Sequence, residues 1–358
     1  MEVFKLSDIA KFTTGKLNSN AAETGGKYPF FTCAPEPLRI NTYAFDTEAI
    51  ILAGNNAEGN FHIQYYEGKF NAYQRTYVIE SCDASRVNLR YLYYALKMCL
   101  RHFKQISQGT ATKFLTAKIL NGFEVPIPTI ELQNKIASLL GALDEKLEAN
   151  ESINKNLYEQ MLAIFDNAKR TSSWHAHKLG DVLTFFDNLR KPLSSIQRAK
   201  MTHIYPYYGA TSIVDYVEDY LFDGTYILIS EDGANVVDAS GHPLTQYTYG
   251  KFWVNNHAHI VKGTSSYSNA LIYAILGTLN MQSIVTGAAQ PKINQANLRN
   301  FETALPENEE AQTLSSVLNP MFKQMIHHDQ ENEKLSALRD TLLPQLMSGE
   351  LDVSDIDL

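Results

Sequence analysis

Two long stretches of the chain place apolar residues at spacings that alternate between four and three. The first seam runs through Ile136, Leu140, Leu143, Leu147, Asn150, Asn154, Leu157, Met161 and Ile164, and the second through Leu314, Leu318, Met321, Met325, His328, Asn332, Leu335, Arg339 and Leu342. Heptads of this kind favour coiled-coil helices over amphipathic surface helices. The pattern therefore predicts two long helices that pack antiparallel. The alternative is two independent helices, each packed on its own globule.

Polar residues interrupt both seams near their midpoints. Asn150 and Asn154 lie in the first seam, and His328 and Asn332 lie in the second. A buried Asn lowers the stability of a coiled coil but fixes its register and partner. Antiparallel pairing would bring these four residues together, so we predict that they set the register of a spacer about 42 Å long, at 1.5 Å per residue.

Outside the seams the chain alternates short strand-like runs with one helical stretch in each half. Runs such as AIILAG and KFNAYQRTYVI are rich in β-branched and aromatic residues and are bounded by Gly, Asn, Asp and Pro. Residues 87–103 show the apolar spacing of a helix, and residues 269–279 occupy the same place in the second half. The mixture predicts a small α/β globule in each half.

The two halves repeat each other. Five matches occur in the same order, at offsets of 173 to 182 residues: KLSDI (5–9) with KLGDV (178–182), YPFF (28–31) with YPYY (205–208), FD (45–46) with FD (222–223), GKFNAYQRTYVI (68–79) with GKFWVNNHAHIV (250–261), and Phe-x4-Pro (123–128) with Phe-x4-Pro (301–306). Small insertions in loops account for the changing offset. We conclude that the sequence is a tandem duplication.

These patterns divide the chain into five segments. We predict a first globule over 1–127, a central spacer helix over 128–170, a second globule over 171–305, a C-terminal spacer helix over 306–348 and an acidic tail over 349–358. The predicted fold class is mixed α/β, with two pseudo-repeated globules separated by two long helices in an antiparallel coiled coil. Such a spacer suits two sites one turn of B-DNA apart, about 34 Å.

Charge and composition narrow the function classes. The net charge is −8, but residues 302–358 carry −9, so the rest of the chain carries +1, and residues 83–118 hold seven Lys or Arg against one acid. A nucleic acid responds to such a local field rather than to the total charge. The three cysteines form no CxxC, the N-terminus does not read as a secretory signal, and no apolar run reaches membrane length, so we expect a cytoplasmic protein without a membrane partner.

Several strings resemble the specificity (S) subunits of type I restriction-modification systems. They include YPFFTCA, YAFDTEAIILAGN, GKFNAYQRTYVI, SQGTATKFL and the helix ALDEKLEANESINKNLYEQML in the first half, and YPYYGATS and TGAAQPKIN in the second. The resemblance implies that each globule is a target recognition domain for one half of a bipartite DNA sequence. It also implies two methyltransferase (M) subunits and endonuclease/translocase (R) subunits as partners. S-adenosylmethionine, ATP and Mg would belong to those partners, with no cofactor in this chain.

Motif absences agree with a non-catalytic subunit. The chain has no Asn/Asp-Pro-Pro-aromatic motif for adenine methylation and no G-x-G-x-x-G. Gly54 and Gly59 resemble half of a phosphate-binding loop, but Asn60 stands where that loop requires Lys. No catalytic residue is therefore assigned.

Candidate DNA contacts follow from the chemistry of base and phosphate recognition. After the basic helix of the first half, we predict Gln108, Thr110 and Lys113 near DNA, with Gln290 and Lys292 as the counterparts; the alternative is an ordinary connecting loop.

After a turn at Gly68-Lys69, strand alternation would place side chains 71, 73 and 75 on one face. We predict DNA contacts there for Lys69, Asn71, Tyr73 and Arg75, and in the second half for Asn255 and His257; the alternative is aromatics in the core and amides bonded internally.

Besides DNA recognition, the sequence leaves two other functional classes open, a nuclease and a scaffold. Asp46, Glu67 and Lys69 imitate the D…ExK pattern of magnesium-dependent nucleases, although Asp223 in the second copy has no matching Glu. A scaffold with protein ligands only is the third class. His257 and His259 lie two residues apart without a nearby Cys or carboxylate in the sequence, so we expect no metal site.

Overall fold

The computed structural model describes residues 1–287 and 289–354, which form two compact units. Unit 1 contains residues 1–148 together with the chain from Glu333 onward, and unit 2 contains Ala149–Asn332. Each unit thus combines one globule with a part of both long helices. Residues 355–358 of the predicted acidic tail lie outside the described residues.

Unit 1 is built on a six-stranded sheet of order β2-β8-β5-β7-β3-β4, with the small pairs β1-β10 and β6-β9 beside it. Its strands are β1 (Glu2–Lys5), β2 (Ala10–Thr14), β3 (Tyr28–Phe31), β4 (Leu38–Ile40), β5 (Phe45–Ala53), β6 (Asn55–Asn56), β7 (Ile63–Ala72), β8 (Thr76–Ser81), β9 (Lys113–Phe114) and β10 (Glu124–Ile127). Its helices are α1 (Leu6–Ile9), α2 (Leu89–Met98), α3 (Leu100–Ile106), α4 (Ala117–Asn121) and the first part of α5 (Ile130–Thr171).

Unit 2 contains two four-stranded sheets, of order β12-β19-β16-β17 and β14-β13-β18-β15, and the pair β11-β20. Its strands are β11 (His175–Lys178), β12 (Leu183–Phe185), β13 (Tyr205–Tyr208), β14 (Ile213–Val217), β15 (Phe222–Asp223), β16 (Tyr226–Ser230), β17 (Thr245–Thr248), β18 (Lys251–Val254), β19 (Ala258–Gly263) and β20 (Glu302–Leu305). Its helices are α6 (Leu179–Val182), α7 (Ser195–Arg198), α8 (Asn269–Thr278), α9 (Gln295–Asn300) and the first part of α10 (Asn308–Ser348).

The two units share one strand plan, and glycines account for the main difference. In unit 1, β5 and β7 are long and pair along their length, with Gly68 inside β7 opposite Thr47. In unit 2 the matching strands are each broken in two, at Gly224 (φ +118°) and Gly250 (φ +68°), whose backbones bond to each other at 2.9 Å. These left-handed conformations suit glycine. The predicted turn at Gly68-Lys69 is therefore wrong for the first copy, where the strand continues.

The helical stretch of each globule packs on its sheet and begins at a side-chain cap. The Asn88 carboxamide accepts the amide hydrogen of Tyr91 at the start of α2, and the Ser268 hydroxyl accepts that of Leu271 at the start of α8. The helix predicted over 87–103 is in fact two helices, because the chain bends at Cys99 between α2 and α3.

Both units confirm the antiparallel pairing of the long helices. In unit 1, Asp144 of α5 forms an ion pair with Arg339 of α10 at 2.9 Å. In unit 2, the Asn150 Nδ2 atom donates to Asn332 Oδ1 at 2.8 Å, and Asn154 contacts residue 328, so the partner number falls as the α5 number rises. The alternative of two independent helices is wrong.

The predicted polar midpoints are hydrogen-bonded across the helix pair within unit 2. The Asn154 carboxamide donates to the Met325 carbonyl at 3.0 Å and to Asp329 Oδ1 at 2.8 Å, and its Oδ1 lies 2.7 Å from His328 Nδ1. Bonds of this kind require one alignment of the two helices. The register-setting role of Asn150, Asn154, His328 and Asn332 stays a prediction.

Candidate nucleic-acid interface

Three loops meet where β5 of unit 1 ends and β8 begins, and we call them the first loop cluster (residues 54–60, 73–75 and 107–115). The Gly54 amide donates to the Arg75 carbonyl at 2.8 Å, and the Leu115 amide donates to the Gly54 carbonyl at 2.9 Å. Gln108 and Phe114 exchange two backbone bonds, of 3.0 and 2.7 Å, which close a hairpin. Gly109 (φ +110°) makes this hairpin possible, since a Cβ there would lie 2.0 Å from the Thr112 carbonyl oxygen.

The first loop cluster presents cations and hydroxyls to solvent. The Arg75 guanidinium lies over the Phe114 ring at 5.2 Å, and the Lys104 Nζ atom donates to Asn60 Oδ1 at 2.7 Å. Gln108 and Thr110 are exposed at the hairpin, and Lys113 is half-buried beside them. Neither Arg75 nor Lys113 forms an ion pair with another described residue. Both charges are therefore available to an external anion.

The structure places Lys69 and Asn71 on β7, outside this cluster, and Tyr73 at its edge. Asn71 is only 4% exposed, and its carboxamide bonds to the Thr42 carbonyl and to the Ala72 amide. The predicted alternation of 71, 73 and 75 is wrong because β7 ends at Ala72 and the chain turns through 73–75. Tyr73 is half-buried at the start of that turn. Only Arg75 of this set joins the loop cluster as an exposed cation.

Lys69 lies on β7 and contacts the residues of the nuclease hypothesis. Its Nζ atom is 3.9 Å from Asp46 and 4.8 Å from the Tyr43 ring centroid. In the β5-β7 register Asp46 faces Lys69, whereas Glu67 faces Glu48, whose carboxylate accepts a hydrogen bond from Tyr65. Asp46 is thus paired with Lys69 rather than with Glu67, and the nuclease hypothesis gains no support.

Unit 2 repeats the same backbone framework in a second loop cluster (residues 231–237, 255–257, 285–287 and 289–293). The Glu231 amide donates to the His257 carbonyl at 2.9 Å, and the Ile293 amide donates to the Glu231 carbonyl at 2.9 Å. Thr286 and Lys292 exchange two backbone bonds of 2.8 Å, as Gln108 and Phe114 do in the first cluster. Lys292 therefore matches Phe114, and the expected match of Lys292 with Lys113 is wrong by one residue.

The side chains of the second loop cluster differ in kind from those of the first. The Lys292 Nζ atom is 3.0 Å from Glu231 Oε1, and His257 Nδ1 is 2.5 Å from Asp232 Oδ1. Asn255 is half-buried, and its Oδ1 accepts the His257 amide hydrogen, while Gln290 is exposed. The two basic side chains predicted here thus already have acidic neighbours. The same backbone arrangement therefore presents different side chains to solvent in the two units.

A charged network lies directly beneath the second loop cluster. His259 is 1% exposed, with Nδ1 2.6 Å from Asp187 Oδ2 and 3.6 Å from Glu231 Oε2. Arg190 binds Glu231 at 2.6 Å, and Gln295 donates to Asp187 Oδ2 at 2.6 Å. These groups line a cavity of about 450 Å³ with Phe185, Asn188 and Arg299.

His259 has two acidic neighbours that the sequence did not indicate when it argued against a metal site. Asp187 and Glu231 are 72 and 28 residues away in the chain, yet their oxygens and the His259 nitrogen lie within 4.8 Å of one another. Asp187 also accepts the Ile260 amide hydrogen at 2.8 Å. Burial alone would raise the pKa of Asp187. The hydrogen bond with His259 and its charge, the hydrogen bond from the Ile260 amide and the charge of Arg190 outweigh burial and lower that pKa.

Several side chains at the two clusters were not predicted as contacts. Phe114 in the first cluster, Lys104 beside it, and Asp187 and Arg190 beneath the second cluster gain their positions from contacts between distant segments. The repeated glycines at 109 and 287 are the one local signal that marks both hairpins. No helix in the described part of the chain is long and apolar enough to cross a membrane.

Comparisons with known proteins agree with the repeated architecture. The family model of the type I restriction modification DNA specificity domain matches twice, over residues 1–159 and 171–337. The EcoDI specificity subunit of Escherichia coli is 35% identical over 179 residues, which are 48% of this chain but only 39% of that protein. The MjaIX specificity subunit of Methanocaldococcus jannaschii is 23% identical over 301 residues, 74% of this chain and 70% of that protein.

A solved structure supports the fold. The crystal structure of a type I restriction-modification S subunit from M. genitalium superposes with a TM-score of 0.59 at 18% identity, covering 96% of this chain and 95% of that one. Two copies of the family domain, which together match most of the chain, agree with the duplication read from the sequence. The chain belongs to the family of type I restriction-modification DNA specificity proteins.

Proposed function

We propose that this chain is the sequence-specific DNA-binding subunit of a type I restriction-modification complex. The first loop cluster reads one half of a bipartite target, and the second reads the other half. One observation carries the proposal: the two units repeat the same backbone bonds, Gly54-Arg75-Leu115 and Glu231-His257-Ile293, but present different side chains on them. A repeated framework with diverged side chains suits two different half-sequences on one duplex.

The first cluster offers the chemistry of phosphate and base contacts. Arg75, Lys104 and Lys113 supply positive charge, and Gln108 and Thr110 supply exposed polar groups beside it. Phosphates attract such a group of cations without regard to sequence, whereas the amide and guanidinium groups can discriminate base edges. Phosphate contacts would therefore set the affinity, and Arg75 with Gln108 would contribute to specificity.

The partners and cofactors follow the same proposal. The chain has no catalytic residues of its own and positions two adenine methyltransferase subunits, and endonuclease/translocase subunits in the restriction complex. S-adenosylmethionine, ATP and Mg are bound by those subunits and not by this chain. The complex acts in the cytoplasm, where host and phage DNA are accessible.

Methylation mapping tests the proposal most directly. The chain is co-expressed with an adenine methyltransferase subunit from the same genome, and methyladenine is mapped across the DNA of the expressing cells. We expect methylation at one bipartite sequence, and none when either subunit is omitted. Methylation that does not require this chain, or a target without two separated halves, would contradict the proposal. Failure of the purified pair to bind any duplex would instead favour a scaffold with protein ligands only.

A further inference from the structure

His259 is a buried side chain with an acceptor at each ring nitrogen. Its Nδ1 atom lies 2.6 Å from Asp187 Oδ2, and its Nε2 atom lies 2.8 Å from the Ile293 carbonyl oxygen. Ile293 directly follows Lys292, which closes the hairpin with Thr286, and its amide joins this segment to Glu231. The imidazole therefore ties the hairpin of the second loop cluster to the turn that contains Asp187.

Unit 1 shows which nitrogen carries a hydrogen toward Ile293. Tyr77 occupies the place of His259 on the matching strand, and its hydroxyl donates to the Leu115 carbonyl at 2.9 Å. Leu115 and Ile293 are equivalent, since each donates its amide hydrogen to the residue that follows the central strand, Gly54 or Glu231. The carbonyl at this place is an acceptor in both units, so Nε2 of His259 donates to it.

The Nδ1 atom must then carry a proton or bind a metal ion. With hydrogen on Nε2 alone, Nδ1 would direct a lone pair at the Asp187 carboxylate across 2.6 Å, which is repulsive. A second ring hydrogen turns this contact into a charge-assisted hydrogen bond of ordinary length. Unit 1 needs no such cation, because its tyrosine has only one polar atom.

A proton satisfies this position better than a metal ion. The carboxylate oxygens of Asp187 and Glu231 already accept hydrogens from neighbouring groups: the Ile260 amide, Gln295, Arg190 and Lys292. A metal would have to displace several of these donors, whereas a proton on Nδ1 displaces none of them. The charged groups around His259 are Asp187, Arg190, Glu231 and Arg299, which line the cavity with it, and Lys292, which pairs with Glu231.

We infer that His259 is a positioning residue of the second loop cluster, held as a doubly protonated imidazolium between the Asp187 carboxylate and the Ile293 carbonyl. This inference rests on the proposed function, because the hairpin it positions is the one proposed to read the second half-sequence. The tie holds the hairpin closed by Thr286 and Lys292 beside residues 255–257 without contacting DNA itself. The first cluster achieves the same attachment with the neutral Tyr77.

The charge state can be measured on the full chain without DNA. Nitrogen-15 labelling of histidine reports on each ring nitrogen whether a hydrogen is attached, and the His259 signal is assigned by its loss in H259Q. We expect hydrogens on both ring nitrogens at neutral pH, and no change on addition of zinc or of EDTA. A ring with hydrogen on one nitrogen only, or a zinc-dependent change of this signal and of the unfolding temperature, would overturn the inference.

The positioning role is tested by transplanting the pair found in unit 1. The sequence repeat of KLSDI and KLGDV matches Asp187 with Thr14, and the strand registers match His259 with Tyr77, so D187T/H259Y places the unit 1 pair of side chains in unit 2. H259Y alone keeps the donor toward Ile293 but removes the ring hydrogen that faces the Asp187 carboxylate. We expect H259Y and D187T each to weaken discrimination of the second half-sequence about tenfold. The double variant should recover most of this loss.

Duplexes altered in one half separate the outcomes. Binding is measured with the methyltransferase partner on the mapped target and on duplexes scrambled in either half, and folding is checked by thermal unfolding. H259Q provides a smaller substitution if tyrosine does not fit. Y77F is the matched control and should affect only the first half. Equal losses in both halves, or additive losses in the double variant, would overturn the inference, whereas absence of any DNA binding by the wild type would count against the proposed function alone.

Discussion

The Arg75 guanidinium lies over the Phe114 ring, and the two residues belong to segments that are far apart in sequence. Stacking of this kind fixes a guanidinium that would otherwise sample many rotamers, so less conformational entropy is lost when it binds a phosphate or a guanine. Lys104 and Lys113 border Gly59, because a Cβ there would lie 3.1 Å from the Lys104 side chain and 3.3 Å from that of Lys113. Arg75 bonds to Gly54 through its carbonyl, so the three cations lie along the loop of residues 54–60.

We predict that R75A weakens DNA binding several-fold and reduces the salt dependence of binding by about one counterion. The charge is exposed and pairs with no described residue, so removing it should leave the fold intact. The measurement is the slope of log affinity against log salt concentration for the complex with the methyltransferase partner. K5A, which removes an exposed charge from β1, is the control and should leave the slope unchanged. An unaltered slope in R75A would exclude Arg75 from the interface.

We predict that Asp187 makes unit 2 sensitive to acid. Its pKa is lowered below the ordinary 3.8, so its stabilising contribution is complete above that value and is lost as the pH falls through the folded pKa. D187N should therefore lower the free energy of unfolding at neutral pH by about 1–3 kcal/mol. Below about pH 4 the difference from the wild type should shrink. A pH series of denaturant unfolding measures it, and a difference that stays constant down to pH 2 would contradict the assignment.

At the scale of residues, the sequence predicted which side chains suit DNA binding better than it predicted which residues contact one another. Lys113, Gln108, Thr110 and Arg75 are chemically suited to DNA, and the structure places all four in one cluster. Asn71 has equally suitable chemistry, but strand pairing buries it. Asp187 and Glu231 could not be connected to His259, because their proximity depends on which strands are neighbours, and a local pattern does not contain that information.

The long helices were the most predictable elements of the chain. Their heptads gave both helices and their antiparallel direction, because the apolar spacing repeats over many turns. The strands were harder, since β5 and β7 in unit 1 correspond to four short strands in unit 2, and the breaks depend on Gly224 and Gly250. Gly68 has the same sequence context as Gly250, yet its strand continues. Glycine permits a break without requiring one.

We predict that N154A lowers the free energy of unfolding by about 1–3 kcal/mol. The substitution removes the carboxamide that bonds to Met325, Asp329 and His328 across the helix pair. N167A is the matched control, because Asn167 is exposed on the same helix and the change is chemically identical. Denaturant unfolding of both variants gives the comparison. Equal stabilities would show that the polar midpoint contributes nothing to the helix pair.

For the whole molecule, the proposed function makes the helix pair a spacer between two reading surfaces. We predict that one heptad inserted at matching levels of α5 and α10 lengthens the unread gap by about three base pairs, since seven residues add about 10.5 Å. Each half-sequence should stay unchanged in the methylation map. An insertion in α5 alone should disrupt pairing and abolish methylation. An unchanged gap in the double insertion would contradict the spacer role.

We also predict that the halves are exchangeable. Replacing residues 1–127 with those of a related protein should change one half of the methylated sequence and leave the other intact, because the two clusters are formed by different units. The methylation map of the chimera is the measurement. A change in both halves would show that the units do not read DNA independently.

The discontinuity of unit 1 has a consequence for synthesis on the ribosome. Its core includes Leu343, Leu346 and Val353 together with Ile136 and Leu140, whereas unit 2 is one uninterrupted segment. The second globule can therefore finish folding as soon as its own residues emerge, while the first, although translated before it, must wait for the segment that contains Leu343, Leu346 and Val353. Premature termination shortly before Glu333 would leave the first globule unfinished and the second complete.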